Sequence, residues 1–348
     1  MKRPAAILEP LGSVVLDDFV ADIAWSPDGV RLAVAGGEGK VFLVERVAGA
    51  TAQPLVAHEV GEHLLGTQSV AWQPRGAAFV SCGQDGTLAL RDGADGRLLA
   101  EQRPKARGLP AAAWSPDGRW LASSAGKQIF LWTPALEPAH ALPPLDAAVA
   151  ALGWDRAGRD LAAAVNGGMV VHRIEPPQFQ MRRYPWAAPC LTASYSPNGK
   201  VLVTGTQDGS VHFWYLATGR DSQMRGYPGK VDVTVWSADS RWLATIADSQ
   251  VVLWDFGGRG PEGSRPQQLA GHTDRIDCLA FQPNGNFLVS AGRDWRLSLW
   301  LPGKTPGALD AHLADSEPSA LRWSPDGRFV ALGERRGRLA IYELVRLG

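Results

Sequence analysis

The pentapeptide WSPDG occupies residues 25–29, 114–118 and 323–327. Three copies of one string in a chain of 348 residues call for a common structural cause. Relaxed versions fill the intervals: WQPRG begins at 72, WDRAG at 154, YSPNG at 195, WSADS at 236 and FQPNG at 281. Eight starts spaced 40–47 residues apart mark a repeat architecture. In such an array each unit is one supersecondary element that cannot bury its faces alone.

The surroundings of each copy agree. A short run leads to the aromatic: DIAW, SVAW, AAAW, ALGW, TASY, VTVW, CLAF and ALRW. Pro-Asp-Gly or a relative then makes a turn, because Pro presets φ, Asp bonds nearby backbone and Gly accepts positive φ. A second apolar run follows, then a polar turn such as QDG at 84–86 and 207–209. A third run ends on Trp132, Trp214, Trp254 or Trp300 in the better-formed units. Short apolar runs punctuated by turns are strands, and no helical periodicity of useful length is present. WSPDG is therefore a hairpin turn between two strands of a small sheet. One four-stranded sheet cannot bury both faces, whereas eight stacked radially bury one another.

These features resemble the WD-repeat (WD40) β-propeller family over essentially the whole chain, and the fold class they imply is all-β. The clearest unit is LAGHTDRIDCLAFQPNGNFLVSAGRDWRLSLW, 269–300, with a Gly-His pair and a closing Trp. The resemblance implies a buried hydrogen-bonded set of His272, Ser290, Asp294 and Trp300. The same register gives Thr204, Asp208 and Trp214 without a His, and His58, Ser81 and Asp85 with Arg91 in place of Trp. The first, fourth and eighth units end on Val44, His172 and Tyr342. Eight units imply eight four-stranded blades in one domain spanning 1–348, with seven, the commoner count in the family, as the alternative. The last unit lacks room for its outer strand, so residues about 12–17, around Ser13–Leu16, are expected to complete it and close the ring. Closure removes sheet edges that invite aggregation.

The residue before each aromatic is small in seven units, as converging inner strands require, and Arg322 departs from the rule. It is either a residue of the central channel or a paired structural arginine. Lys+Arg and Asp+Glu both number 35, so the net charge is zero. That balance argues against a broadly electrostatic nucleic-acid binder, which carries a basic excess. Arg335, Arg336 and Arg338 form a small cluster that reads as a solvated turn. Three cysteines, Cys82, Cys190 and Cys278, without CxxC spacing fit a reducing compartment. No apolar stretch is long enough to span a bilayer, and Glu9 with two prolines breaks any leader-like run at the start. These observations point to a cytoplasmic protein with no membrane partner. Arginine outnumbers lysine 28 to 7, a composition that hints at a GC-rich bacterial genome.

Catalytic and cofactor motifs find little support. Ser290, His272 and Asp294 are of triad type, but they occupy the family's structural positions, and no nucleophile elbow surrounds Ser290. AGGEGKV, 35–41, lacks the first glycine and the Ser/Thr of a phosphate loop and reads as a turn. AHEVGEHLLG, 57–66, carries His58, Glu59, Glu62 and His63, which are zinc-ligand types without HExxH spacing. From His272 to Phe281 is nine residues and from His58 to Trp72 fourteen, so a small loop insertion is expected there, with His58 in the structural position. His58, Glu62 and His63 remain candidate metal ligands, against a solvated or partner-touching loop.

Two further departures concern one end of the ring. RRYPWAAPC, 182–190, places Tyr184 and Trp186 in a loop entering an inner strand, and RDW, 293–295, puts Trp295 where other turns carry Gly. The resemblance places such loops on one face, the one most used for partners, and adds Arg275, Asp277 and Arg293 to it. Aromatic and Arg residues are common interface anchors. Trp186 reads as either an anchor or a residue packed on neighbouring loops, and Trp295 reads first as packed there. GGRGPEGSRP, 257–266, is expected to be a flexible loop on the opposite face. The expected function is a non-catalytic scaffold for a protein or peptide partner, with no cofactor. The alternative is a metal- or small-ligand-binding propeller using the 57–66 loop and the channel.

Overall fold

The computed structural model describes residues 5–47, 54–104, 111–258 and 260–347. The first four residues, and Arg259 of the 257–266 loop, lie outside it. Eight antiparallel four-stranded sheets follow one another along the chain. The first seven blades span 20–62, 67–102, 111–141, 149–185, 194–225, 234–270 and 276–313, and the eighth spans 318–346. The eighth blade takes its fourth strand from Ala6–Val15, which pairs antiparallel with Arg338–Arg346. The ring thus has eight blades, not seven.

The closing strand starts earlier than residue 12 and ends at Val15, with Leu16 and Asp17 beyond it. Pro10 and Gly12 obscure it in the sequence. The structure absorbs them in a register shift between Pro10 and Gly12, on an edge strand where a missing N–H is tolerated. Ala6 and Leu8 are fully buried against blade seven residues such as Val289 and Leu299. Leu8 N–H also donates to Asp310 Oδ2 of that blade at 2.8 Å.

The repeated pentapeptide does two jobs. Within the hairpins that carry a Ser after the aromatic, it donates to the Asp two residues on: Ser26 to Asp28 at 2.6 Å, Ser115 to Asp117 at 2.7 Å and Ser237 to Asp239 at 2.5 Å. In the YSPNG copy Asn198 replaces the Asp at 2.8 Å. Each serine also accepts the N–H five residues on, for example Arg31 N at 2.9 Å. The buried polar ends are thereby satisfied.

Between blades, four indoles tie an inner strand to the preceding one. Trp114 Nε1 donates to Ala71 O at 3.2 Å, Trp154 to Ala113 O at 2.9 Å and Trp323 to Ala280 O at 3.0 Å. Trp25 reaches Arg322 O at 3.3 Å across the ring closure. Every acceptor is the carbonyl of the residue just before the previous aromatic. Both the turn and the inter-blade bond demand W-S-x-D-G, which accounts for its repetition.

Candidate interaction face

Strand direction fixes two faces. The W-S-P-D-G hairpins lie on one; the turns between second and third strands, and the connections from one blade to the next, lie on the other. The connections carry the interior polar set. In blade seven His272 Nε2 bonds Ser290 Oγ at 2.7 Å, Trp300 Nε1 donates to the same oxygen at 2.8 Å, and Asp294 Oδ1 lies 2.9 Å from His272 Nδ1. Ser290 and Trp300 are fully buried. A buried hydroxyl serving two partners anchors a network whose members orient one another.

The histidine of this set always stands nine residues before the hairpin aromatic. In blade two that position is His63, not His58. His63 is buried, with Nε2 at 2.8 Å from Ser81 Oγ and Nδ1 3.7 Å from Asp85. Residues 55–62 are the outer strand of blade one and not a loop insertion. His58, Glu59 and Glu62 are exposed along that strand, and Glu59 pairs with Lys40 at 3.0 Å. His63 turns inward instead, so the proposed metal ligands do not converge. Among the described residues no group of three or more His, Cys, Asp or Glu is placed to hold a metal. Arg91 fills the Trp place and donates to Val60 O at 2.5 Å. A Cβ on Gly61 would sit 1.9 Å from that guanidinium, so a larger residue there would push the Arg91 side chain aside.

The same offset finds Trp186 in blade five and Tyr227 in blade six. Trp186 is half-buried and stacks on His212 with ring centroids 3.7 Å apart. Its Nε1 is buried without a partner among the described residues. Trp186 therefore stands in for the missing histidine by packing. Asp208 binds Thr206 and Ser210 rather than an imidazole. Tyr184 packs edge-on against Trp214 at 5.8 Å and is half-buried, so it belongs to the groove between blades four and five. In blade six the substitute is polar: Trp254 Nε1 donates to Tyr227 Oη at 2.7 Å, which lies 2.7 Å from Thr245 Oγ1. Tyr227→Phe is expected to cost about 1–3 kcal/mol, because the indole and the threonine lose one shared partner. Urea unfolding of the two proteins would check it; an unchanged midpoint would show that the hydroxyl is dispensable.

Blade four has no such set. His172 occupies the Trp place, is almost fully buried, and its Nε2 has no partner among the described residues. Burial, with Arg183 nearby, pushes its imidazole down to about 4. The unfolded chain takes up this proton first as pH falls below its ordinary value near 6.5. Stability from this site is thus complete above about pH 6.5 and declines as pH falls toward 4, by about 1–3 kcal/mol. His172→Leu should flatten that decline in urea midpoints measured between pH 7 and pH 4.5. An identical slope in both proteins would contradict the assignment.

The connection-side face carries a ladder of alternating charge across blades six to eight. Lys230 pairs with Asp232 at 2.8 Å, and Arg275 reaches Asp232 at 3.7 Å and Asp277 at 3.1 Å. Arg293 bridges Asp277 at 2.9 Å and Glu317 at 3.5 Å, and Arg335 holds Glu317 at 3.2 Å. Solvated pairs like these contribute little stability, but they fix the guanidinium groups in place. Trp295 rises beside them, 44 % exposed, at φ 60°. The matching positions in blades one, two, five and eight are Gly39, Gly86, Gly209 and Gly337, all at positive φ. A bulky residue there is strained by about 1–2 kcal/mol. Its carbonyl accepts Ala314 N–H at 2.7 Å, and neighbouring Leu313 is 70 % exposed. Trp295 thus shows its ring to solvent rather than packing it away.

Arg322 sits in the channel mouth and is also paired. Its Nη2 donates to Asp22 Oδ1 of blade one at 2.9 Å, and it lines a central cavity of about 470 Å³ with Asp232, Asp277, Thr192 and Ser319. Among the described residues no helix is long and apolar enough to cross a membrane.

A closed ring of eight radial sheets with a connection-side face defines an eight-bladed β-propeller. The family described as WD domain, G-beta repeat, matches residues 107–133, 186–215, 216–255 and 263–300, and the chain is a member of the WD-repeat propellers. It is 26% identical over 288 residues to cell division cycle 20.4, cofactor of APC complex, of Arabidopsis thaliana, covering 81% of this chain and 55% of that one. It is 24% identical over 294 residues to the B-type cell cycle switch protein ccs52A of Medicago truncatula, covering 82% and 51%. An uncharacterised WD repeat-containing protein of Synechocystis is 33% identical over 137 residues, 38% of this chain and 37% of the relative. The chain spans about half the length of the two plant relatives. The crystal structure of the computationally designed Ika8 protein superposes with a TM-score of 0.77 at 18% identity, covering 98% of this chain and all of that one, a likeness of fold alone.

Proposed function

We propose that the chain is a non-catalytic interaction scaffold that offers the connection-side face of blades seven and eight to a protein or peptide partner. The carrying observation is Trp295, an exposed indole held in a strained turn where four other blades place glycine. Strain maintained at an exposed aromatic is the pattern of a functional site. Leu313 extends the apolar surface, and Arg293 and Arg335 stand beside it in fixed ion pairs. Trp and Arg anchors surrounded by polar groups suit a protein interface. The triad-like residues of blade seven are buried and used up in their own network, which supports a non-catalytic reading. Two plant relatives are named for a complex and for a cell-cycle switch, in line with a partner-binding role.

Trp295→Gly separates binding from folding. Glycine relieves the backbone, so stability is expected to stay level or rise by about 1 kcal/mol, while partner capture from host lysate falls at least tenfold. A variant that is destabilised and still captures the same protein would sink the proposal.

A further inference from the structure

The connection between the third and fourth strands of blade six, described at residues 256–258 and 260–266, reaches back onto blade five. Glu262 is the latch: its Oε2 accepts Tyr215 Oη and its Oε1 accepts Arg220 Nη2, each at 3.0 Å. Arg220 also stacks over the Tyr215 ring at 5.2 Å. Gly260, at φ 87°, passes so close that a Cβ would sit 2.4 Å from Tyr215 Oη. Gly257 N–H on Asp255 and Ser264 N–H on Pro261 O fix the ends of this loop. The latched loop frames a cleft of about 760 Å³ on the hairpin side of the ring, a size ordinary for small-ligand sites.

The wall chemistry is selective. Tyr215 and Phe256 supply aromatic surface. Phe256 is braced from behind by Phe213 and Trp236, with centroids 5.1 and 4.7 Å away. Lys200 and Arg220 line the cleft, and among the described residues its lining has no carboxylate. Glu262 neutralises Arg220, whereas Lys200 makes no ion pair among the described residues. Asn198 and Thr218 add polar groups at the rim. One uncompensated cation beside a rigid aromatic wall is suited to a ligand with a flat ring and a negative group.

We propose that this cleft between blades five and six binds a small aromatic anion, its ring against Tyr215 and Phe256 and its charged group at Lys200. The site lies on the face opposite Trp295 and does not depend on the partner proposal. Isothermal titration calorimetry with 1-naphthalenesulfonate on the full chain tests it, with uncharged 1-naphthol as the comparison. Saturable one-site binding is expected for the sulfonate, weakened about tenfold by Lys200→Gln, as for loss of one charge-assisted hydrogen bond, and about tenfold weaker for 1-naphthol. Ala217→Trp, an exposed substitution that fills the cleft, should abolish binding with an unchanged circular dichroism spectrum. No saturable binding to the wild type, or equal affinities in the wild type and both variants, would overturn the proposal.

Discussion

Ser290→Ala is expected to lower the unfolding free energy by about 2–5 kcal/mol, the largest loss from any single-atom deletion in the polar sets. The hydroxyl is fully buried and serves His272 Nε2 at 2.7 Å and Trp300 Nε1 at 2.8 Å. Its removal leaves a buried imidazole and a buried indole N–H without partners, each costing about 1–3 kcal/mol. Ser81→Ala in blade two is the internal control. Among the described residues the Ser81 hydroxyl meets only His63, because Arg91 has replaced the tryptophan and turned to Val60 O. The loss there should be about half as large. Urea unfolding of the two variants beside the wild type gives both values. Equal losses would show that Trp300 gains nothing from Ser290.

Deleting residues 5–15 should have a larger effect still, on assembly as well as on stability. That strand covers the whole of Arg338–Arg346, buries Ala6 and Leu8, and ties to blade seven through Asp310. Without it blade eight presents a long row of unpaired backbone groups beside exposed core, a template for intermolecular pairing. The shortened chain is expected to elute as soluble aggregates in size-exclusion chromatography with light scattering. A synthetic peptide of residues 5–15 added during refolding should restore the monomer. A shortened chain that stays monomeric with an unchanged melting temperature would show that the ring does not need this strand.

The repeat count, the hairpin role of W-S-P-D-G and the need for a closing strand are legible in the sequence, because turn chemistry is local. The bounds of the closing strand are not, since Pro10 and Gly12 mask a strand that long-range pairing holds together. The misplacement of His58 has a different origin. Two histidines, at 58 and 63, compete for one slot, and the similarity of Ala-His to Gly-His favours the wrong one. Holding the nine-residue offset of His272 and Phe281 constant picks out His63, and then Trp186 and Tyr227 as its equivalents. Trp186 looks like a surface anchor only while its register with His63 is overlooked. The left-handed backbone of Trp295 and its 44 % exposure are not revealed by residue type alone. The latch of Glu262 on Tyr215 and Arg220 joins residues more than forty positions apart in adjacent blades, beyond the reach of any local pattern.

Site-specific photo-crosslinking reads a partner at the connection-side face without first isolating it. A benzophenone amino acid placed at Leu313, beside Trp295, is compared with the same group at Leu99 on the outer strand of blade two, also exposed. One discrete adduct from host lysate is expected at position 313 and none at 99, with the adduct lost when Trp295→Gly is added to the 313 protein. Identical adducts at both positions, or an adduct at 313 that survives Trp295→Gly, would contradict a partner site on the connection-side face of blades seven and eight.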